Sequence, residues 1–206
     1  AKLYGYDIVI FDTSPSLGAL NRHLLSLADG FVIPCSPDLF SVYGIRNIGS
    51  ALKTWRKQFE SIFHFLSDVK RNQFPDEFVK FMGYTIYNAK KYSGSKNPLD
   101  LAVAQYNYAQ QIPETINEFI DADNMIDFDG GNLDESIGGT SVIHTHNTLP
   151  NMAQKYHKPM WLLPEVNLQD EDRPTITANR KIYHATREAY HSFAKDFLDR
   201  VACLHD

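Results

Sequence analysis

Asp7-Ile-Val-Ile-Phe-Asp12 holds four apolar residues, three of them β-branched, between two carboxylates. Continuous hydrophobicity without alternation predicts a strand covered on both faces, as in a parallel sheet. Thr13-Ser14-Pro15-Ser16 then reads as a turn. Leu17 to Ala28 carries helical periodicity through Leu17, Leu20, Leu24 and Leu27, and Phe31-Val-Ile-Pro34 reads as a second buried strand stopped by Pro34 and Pro37. Strand, turn, helix and strand in that order predict an α/β fold with a mostly parallel sheet flanked by helices.

Working outward, Ile45, Ile48, Leu52, Trp55, Phe59, Ile62 and Leu66 recur at steps of three and four and form one stripe of a long helix. Arg46, Lys53 and Lys57 fall on nearly the opposite face, which is either a solvated helix back or a surface for a partner or a phosphate backbone. Val79 to Tyr87 predicts a third strand, followed by a polar, basic loop from Asn88 to Lys96. Asn97-Pro98 predicts a helix start, with the helix ending before Pro113 and a shorter one reaching Ile120. Residues 121–140 form a Gly-rich connection with six carboxylates (Asp121, Asp123, Asp127, Asp129, Asp134 and Glu135). They read as a solvated acidic insertion in which a strand could hide at Met125–Phe128. The EF-hand pattern fails there, because counting from Asp127 the sixth position is Asn132 and the twelfth Gly138. Ser141 to His144 is a strand candidate, Leu149 to Tyr156 a helix and Met160 to Leu163 a strand. A last helix, Thr177 to Val201, would bury Ile182, Ala185, Ala189, Phe193, Phe197 and Val201. No linker divides the chain, so residues 1–206 read as a single domain.

The 206 residues carry 20 Lys and Arg against 25 Asp and Glu, a net charge of −5. That balance excludes a general nucleic-acid sponge but leaves room for a local basic face. No apolar run is long enough to span a bilayer, and the first residues lack a signal-peptide pattern. Cys35 and Cys203 cannot build a disulfide framework and read as reduced thiols of a cytoplasmic protein. His144-Thr-His146 reads as an ordinary polar loop in preference to a zinc site.

A buried strand ending in Asp before a Ser/Pro turn is the physical form of a Walker B element. The carboxylate at the strand's carboxyl end can hold a water of the Mg²⁺ shell beside nucleotide phosphates. Asp12 stands at that position, although spacing alone fits a helix cap or turn former equally well. The surrounding residues narrow the choice. Tyr6-Asp-Ile-Val-Ile-Phe-Asp-Thr-Ser-Pro-Ser-Leu-Gly18, Ala28-Asp-Gly-Phe-Val-Ile-Pro34 and Pro37-Asp-Leu-Phe-Ser-Val-Tyr-Gly-Ile45 together resemble the ParA/MinD-type partitioning ATPases, in order and in interval. Gly83 to Asn88 resembles a later core strand of that family, and Val142 to Met160 a further region of it.

The resemblance implies a P-loop NTPase-like fold and an ATPase that hydrolyses Mg-ATP as a dimerising switch, with ATP and Mg²⁺ as cofactors. Asp12 would be the Walker B aspartate, acting on Mg²⁺ through water, and Thr13 to Leu17, with Pro15 and Ser16, the switch II segment. Asn88 falls where some members contact adenine, and His144 where the family has a proline beside the base. Implied partners are a second copy of the protein, a partition partner protein and DNA, but no membrane. Candidate faces for DNA or a partner are Arg46, Lys53 and Lys57, and Arg180, Lys181 and Arg187. The family's P-loop, of the form KGGxGKT, does not occur, and the chain has no Gly-Lys dipeptide. The expectation is therefore the carboxyl-terminal portion of a ParA-like ATPase, inactive alone. The rival is a nucleotide-independent α/β binding module that keeps the scaffold without a P-loop. A tyrosine-kinase-like relative shares the Walker B stretch but fits the Ser14-Pro15-Ser16-Leu17-Gly18 context less well.

Overall fold

The computed structural model describes residues 4–13, 16–72, 75, 77–128, 131–139, 144 and 149–204, with backbone alone for 175–180. Its elements run α1 (Ala19–Leu27), β1 (Gly30–Cys35), α2 (Leu39–Phe65), α3 (Asp68–Arg71), β2 (Lys80–Ile86), α4 (Val103–Phe119), α5 (Leu149–Tyr156) and α6 (Arg173–Ala202). Short 3₁₀ helices lie at Ala122–Asn124 and Met160–Glu165. The fold is α/β, as the sequence predicts. Among the described residues β1 and β2 form a two-stranded parallel sheet. Helix α2 crosses between them, as parallel strands require.

The core joins the sheet to α2 and α4. Phe31, Ile45, Leu52, Phe81, Tyr84, Ile112 and Ile116 are among its buried residues. The periodic stripe places Ile45, Leu52 and Phe59 inside, whereas Ile62 is exposed near the helix end. Gly49 brings α4 close, since a Cβ there would lie 2.5 Å from the Phe119 carbonyl oxygen. Asp38 caps α2 by accepting from the Ser41 N–H at 2.9 Å. A second, smaller cluster (Leu149, Met152, Leu163, Leu168, Tyr183) packs α5 and the later 3₁₀ helix against α6.

β1 and β2 change register between Phe31 and Val32, which pair with Phe81 and Gly83, so Met82 is the extra residue of a bulge. Gly83 has φ +135°, and a Cβ there would lie 2.3 Å from Arg200 Nη1. Arg200, at the far end of α6, uses that space and is only 2% exposed. It donates to the Met82 carbonyl at 2.9 Å and to Asp196 at 2.7 Å, and its guanidinium lies 4.9 Å from the Phe128 ring centre.

Several sequence expectations need correction. Residues 7–12 are not a strand but exposed chain outside any regular element. A strand needs a neighbour for its backbone groups, and β1 pairs with β2. Asn97 does not start a helix. Its side chain accepts from the Leu99 and Leu101 N–H groups in an Asx turn, and α4 begins only at Val103. Pro113 does not end a helix; it sits inside α4, where the buried Ile112, Thr115 and Ile116 hold the turns on either side of it. Met160–Leu163 is 3₁₀ helix rather than strand, with the Leu162 N–H donating to the Pro159 carbonyl at 2.9 Å. A short apolar run has no period of its own to decide between the two.

Residues 121–140 are not simply a solvated insertion. The described carboxylates face water, but Ile126 and Ile137 are buried. The Ile126 and Ile137 N–H groups donate to Phe81 and Tyr84 carbonyls, so the segment covers the second edge of β2. The buried face of α6 is also rotated. Tyr183, Thr186 and Arg200 are inside, while Ile182 is exposed. Ser141 to Ile143 lie outside the described residues, and His144 makes an isolated parallel bridge to Ala89.

Candidate functional site

In an open α/β sheet, ligands bind beyond the carboxyl ends of the strands. Here those ends are Cys35 of β1 and Ile86 of β2, tied by the Tyr87 N–H donating to the Cys35 carbonyl at 2.9 Å. After β1 comes the capped turn into α2, with the Ser36 N–H on Ser41 Oγ at 2.9 Å. After β2 comes Asn88, exposed and left-handed at φ +59°. Ala89, its neighbour, is buried and bridges His144, whose Nε2 lies 2.8 Å from the Leu99 carbonyl. The structure thus brings Asn88 and His144 to one place, beyond the carboxyl end of β2.

Asp12 lies on the exposed 4–13 stretch, outside any regular element. Pro15 lies outside the described residues. Ser16 is fixed from α1: buried Asn21 donates through Nδ2 to the Ser16 carbonyl at 2.6 Å. Gly18, two residues on, is the N-cap of α1.

The first basic group is partly occupied within the fold. Lys53 pairs with Asp121 at 3.2 Å. The Arg46 guanidinium lies 5.4 Å from the Phe119 ring centre, and Lys57 is exposed. Arg56, which the sequence reading passes over, contacts Glu60, Asp123 and Asn124 and ties α2 to the acidic segment. In the second group Lys181 and Arg187 are exposed on α6. The Arg180 side chain lies outside the description.

Cys35 is buried at the strand end, and burial, followed by the charge of Asp38, pushes its thiol up to about 12. It is a packing residue at neutral pH, since the thiolate is the reactive form. Among the described residues no group of three or more His, Cys, Asp or Glu side chains could hold a metal ion, and no helix is long and apolar enough to cross a membrane.

Residues 3–65 match the model of an AAA domain family. Over 67 residues the chain is 33% identical to a ParA family protein of Mycoplasma pneumoniae, which is 32% of this chain and 25% of the relative. A ParA family protein of Mycoplasma genitalium (MG470) is 31% identical over 67 residues, with the same coverage. About a third of the chain is thus similar to ParA family proteins. The match spans about a quarter of the curated relatives' length. No solved structure matches. The AAA-domain match implies a P-loop NTPase-like fold, and within that family nucleotide and Mg²⁺ dependence is general. The segment that matches the AAA domain model contains Asp12, Ser16 and β1 and ends at the last residue of α2.

The described residues do not make a phosphate cradle. Asp12 offers a negative charge to a negative ligand, and the sequence has no P-loop of the form KGGxGKT to offset it. The donor set of this chain alone therefore does not fit Mg-ATP.

Proposed function

We propose that this chain is the Walker B and switch II side of a ParA-like ATPase. The intact protein would be a Mg-ATP-dependent dimerising switch, working in plasmid or chromosome partitioning or in positioning a cellular assembly in the cytoplasm. The carrying observation is the AAA-domain match over residues 3–65 beside the partial likeness to ParA family proteins, with Asp12 closing the apolar run. In that reading Asp12 serves Mg²⁺ through water, Thr13 to Leu17 with Pro15 and Ser16 form the switch, and Asn88 and His144 lie on the base side. Self-association, a partition partner and DNA follow as partners of the intact protein.

One feature of the sheet supports it. Asp29 and Cys35 carbonyls bond β2, so Gly30, Val32 and Pro34 direct their backbone groups to the other edge of β1. Pro34 is tolerated there because it gives up a donor only on the open side. Among the described residues no strand pairs with that edge, and residues 8–11 expose apolar side chains. A strand leading to a phosphate-binding loop, absent from these 206 residues, would complete the sheet between them.

The test is a calorimetric titration of the 206-residue chain with Mg-ATP. No binding is expected. Micromolar binding would mean a phosphate site other than the one argued here and would overturn the assignment. In a protein that also carries the lysine loop, Asp12→Ala should abolish Mg-dependent hydrolysis; undiminished turnover would refute the role of Asp12.

A further inference from the structure

Beyond Asn88, the segment following β2 is an ordered basic and aromatic hairpin that the ATPase reading does not use. Lys91 and Leu101 form an antiparallel bridge, and the Tyr92 N–H donates to the Asp100 carbonyl at 2.8 Å. The Ser95 N–H closes the turn on the Tyr92 carbonyl at 3.0 Å. Asn97 braces the base through Leu99 and Leu101. Within this frame Tyr92 lies over the turn. A Cβ on Gly94 would meet its Cε1, Cζ and hydroxyl oxygen at 3.2, 3.3 and 3.3 Å. Two ring carbons and the hydroxyl oxygen at nearly equal distance mean that one side of the ring rests on the glycine. The residue is still 56% exposed, so the other side is open to solvent. Tyr87, just before this segment, is 48% exposed. Lys90, Lys91 and Lys96 are exposed around them. Lys91 pairs with Asp100 at 3.0 Å, and among the described residues Lys90 and Lys96 have no ion-pair partner.

We propose that residues 90–96 bind single-stranded nucleic acid, with Tyr92 as a stacking platform for a base and Lys90 and Lys96 on the flanking phosphates. An exposed aromatic face held in place by a glycine turn suits an unpaired base, because every base has a π-face and the ring loses little freedom on binding. A duplex hides its base faces and would use the lysines alone. An acidic peptide would likewise have no use for the ring. The surface requires no ATP, so its test is separate from that of the ATPase reading.

The experiment is fluorescence anisotropy of a labelled oligothymidylate titrated with the 206-residue chain at low salt without nucleotide. Binding is expected, with Tyr92→Ala weakening it by about fivefold or more and Tyr92→Phe retaining it. Lys90→Glu with Lys96→Glu should weaken it further and flatten its salt dependence, because fewer counterions are released. Unchanged thermal unfolding of the variants would separate lost contact from lost fold. No binding by the wild-type chain overturns the proposal. So does duplex binding as tight as single-strand binding and indifferent to Tyr92→Ala, or equal competition by polyglutamate.

Discussion

Gly83 and Arg200 show how a missing side chain at one position fixes a charge at another. The guanidinium occupies the space a Cβ would take, 2.3 Å from the ideal position, on a strand residue whose φ of +135° suits only glycine. Gly83→Ala should therefore expel Arg200 from its contacts with Met82 and Asp196 and cost about 3–5 kcal/mol, the cost of breaking a buried ion pair. Urea unfolding measures it, and a loss below about 1 kcal/mol would mean that α6 is not pinned this way. Tyr183 is a contrasting case. Its hydroxyl is buried without a hydrogen-bond partner among the described residues, so Tyr183→Phe should leave stability unchanged or raise it by about 1 kcal/mol. A clear fall in the unfolding midpoint would reveal a partner for that hydroxyl. Cys35 gives a pH dependence. Its thiol is raised from an ordinary 9.0 to about 12 by burial. The unfolded chain releases that proton first, so this contribution to stability is complete below pH 9 and is lost progressively between 9 and 12. Cys35→Ala should flatten that alkaline decline in unfolding free energy; an unaltered slope would assign the decline to other groups.

At the scale of elements, α2 and α4 meet where Gly49 faces the Phe119 backbone, with an ideal Cβ only 2.5 Å from its carbonyl oxygen. Gly49→Ala must separate the helices and should cost about 1–3 kcal/mol despite the better helix propensity of alanine. A gain in stability, measured by urea unfolding, would show that the crossing is loose. The elements legible in the sequence are those whose period is long. Helix α2, with six apolar residues in register, emerges where the periodicity puts it, α5 spans the residues read as helix, and β2 emerges from an apolar, aromatic-rich stretch interrupted by Lys80 and Thr85. The misread elements depend on information outside the local window. Asn97 has the chemistry of a helix cap but spends it on a turn at Leu99 and Leu101. The apolar run at Met160 holds no period and is bounded by Pro159 and Pro164. On α6 the apolar positions suggested one face, yet the buried face contains Arg200 because a glycine 117 positions earlier in the chain makes room for it. The candidate site divides similarly. Asp12 was legible as a carboxylate ending an apolar run, whereas the Ala89 bridge that brings Asn88 near His144 is a tertiary fact.

For the whole molecule, the two edges of the sheet are handled differently. Beyond β2, residues 126 and 137 supply backbone donors and seal the edge. Beyond β1, among the described residues, no strand takes up the backbone groups of Gly30 and Val32. The nearest segment in sequence with strand character keeps Ile10 76% and Phe11 59% exposed. An open strand edge together with an exposed apolar, β-branched run is a template for association. The chain should therefore self-associate as its concentration rises, through this edge and not through the core. Ile10→Lys with Phe11→Glu should reduce that association in light scattering, because charged residues block edge pairing. The same pair should leave the unfolding midpoint within about 0.5 kcal/mol of the parent, since exposed positions contribute little to stability. If the doubly charged variant instead unfolds more readily, residues 8–11 are packed in solution. If it associates as strongly as the parent, the contact lies elsewhere, and the open edge of β1 is not the surface through which copies of this chain meet.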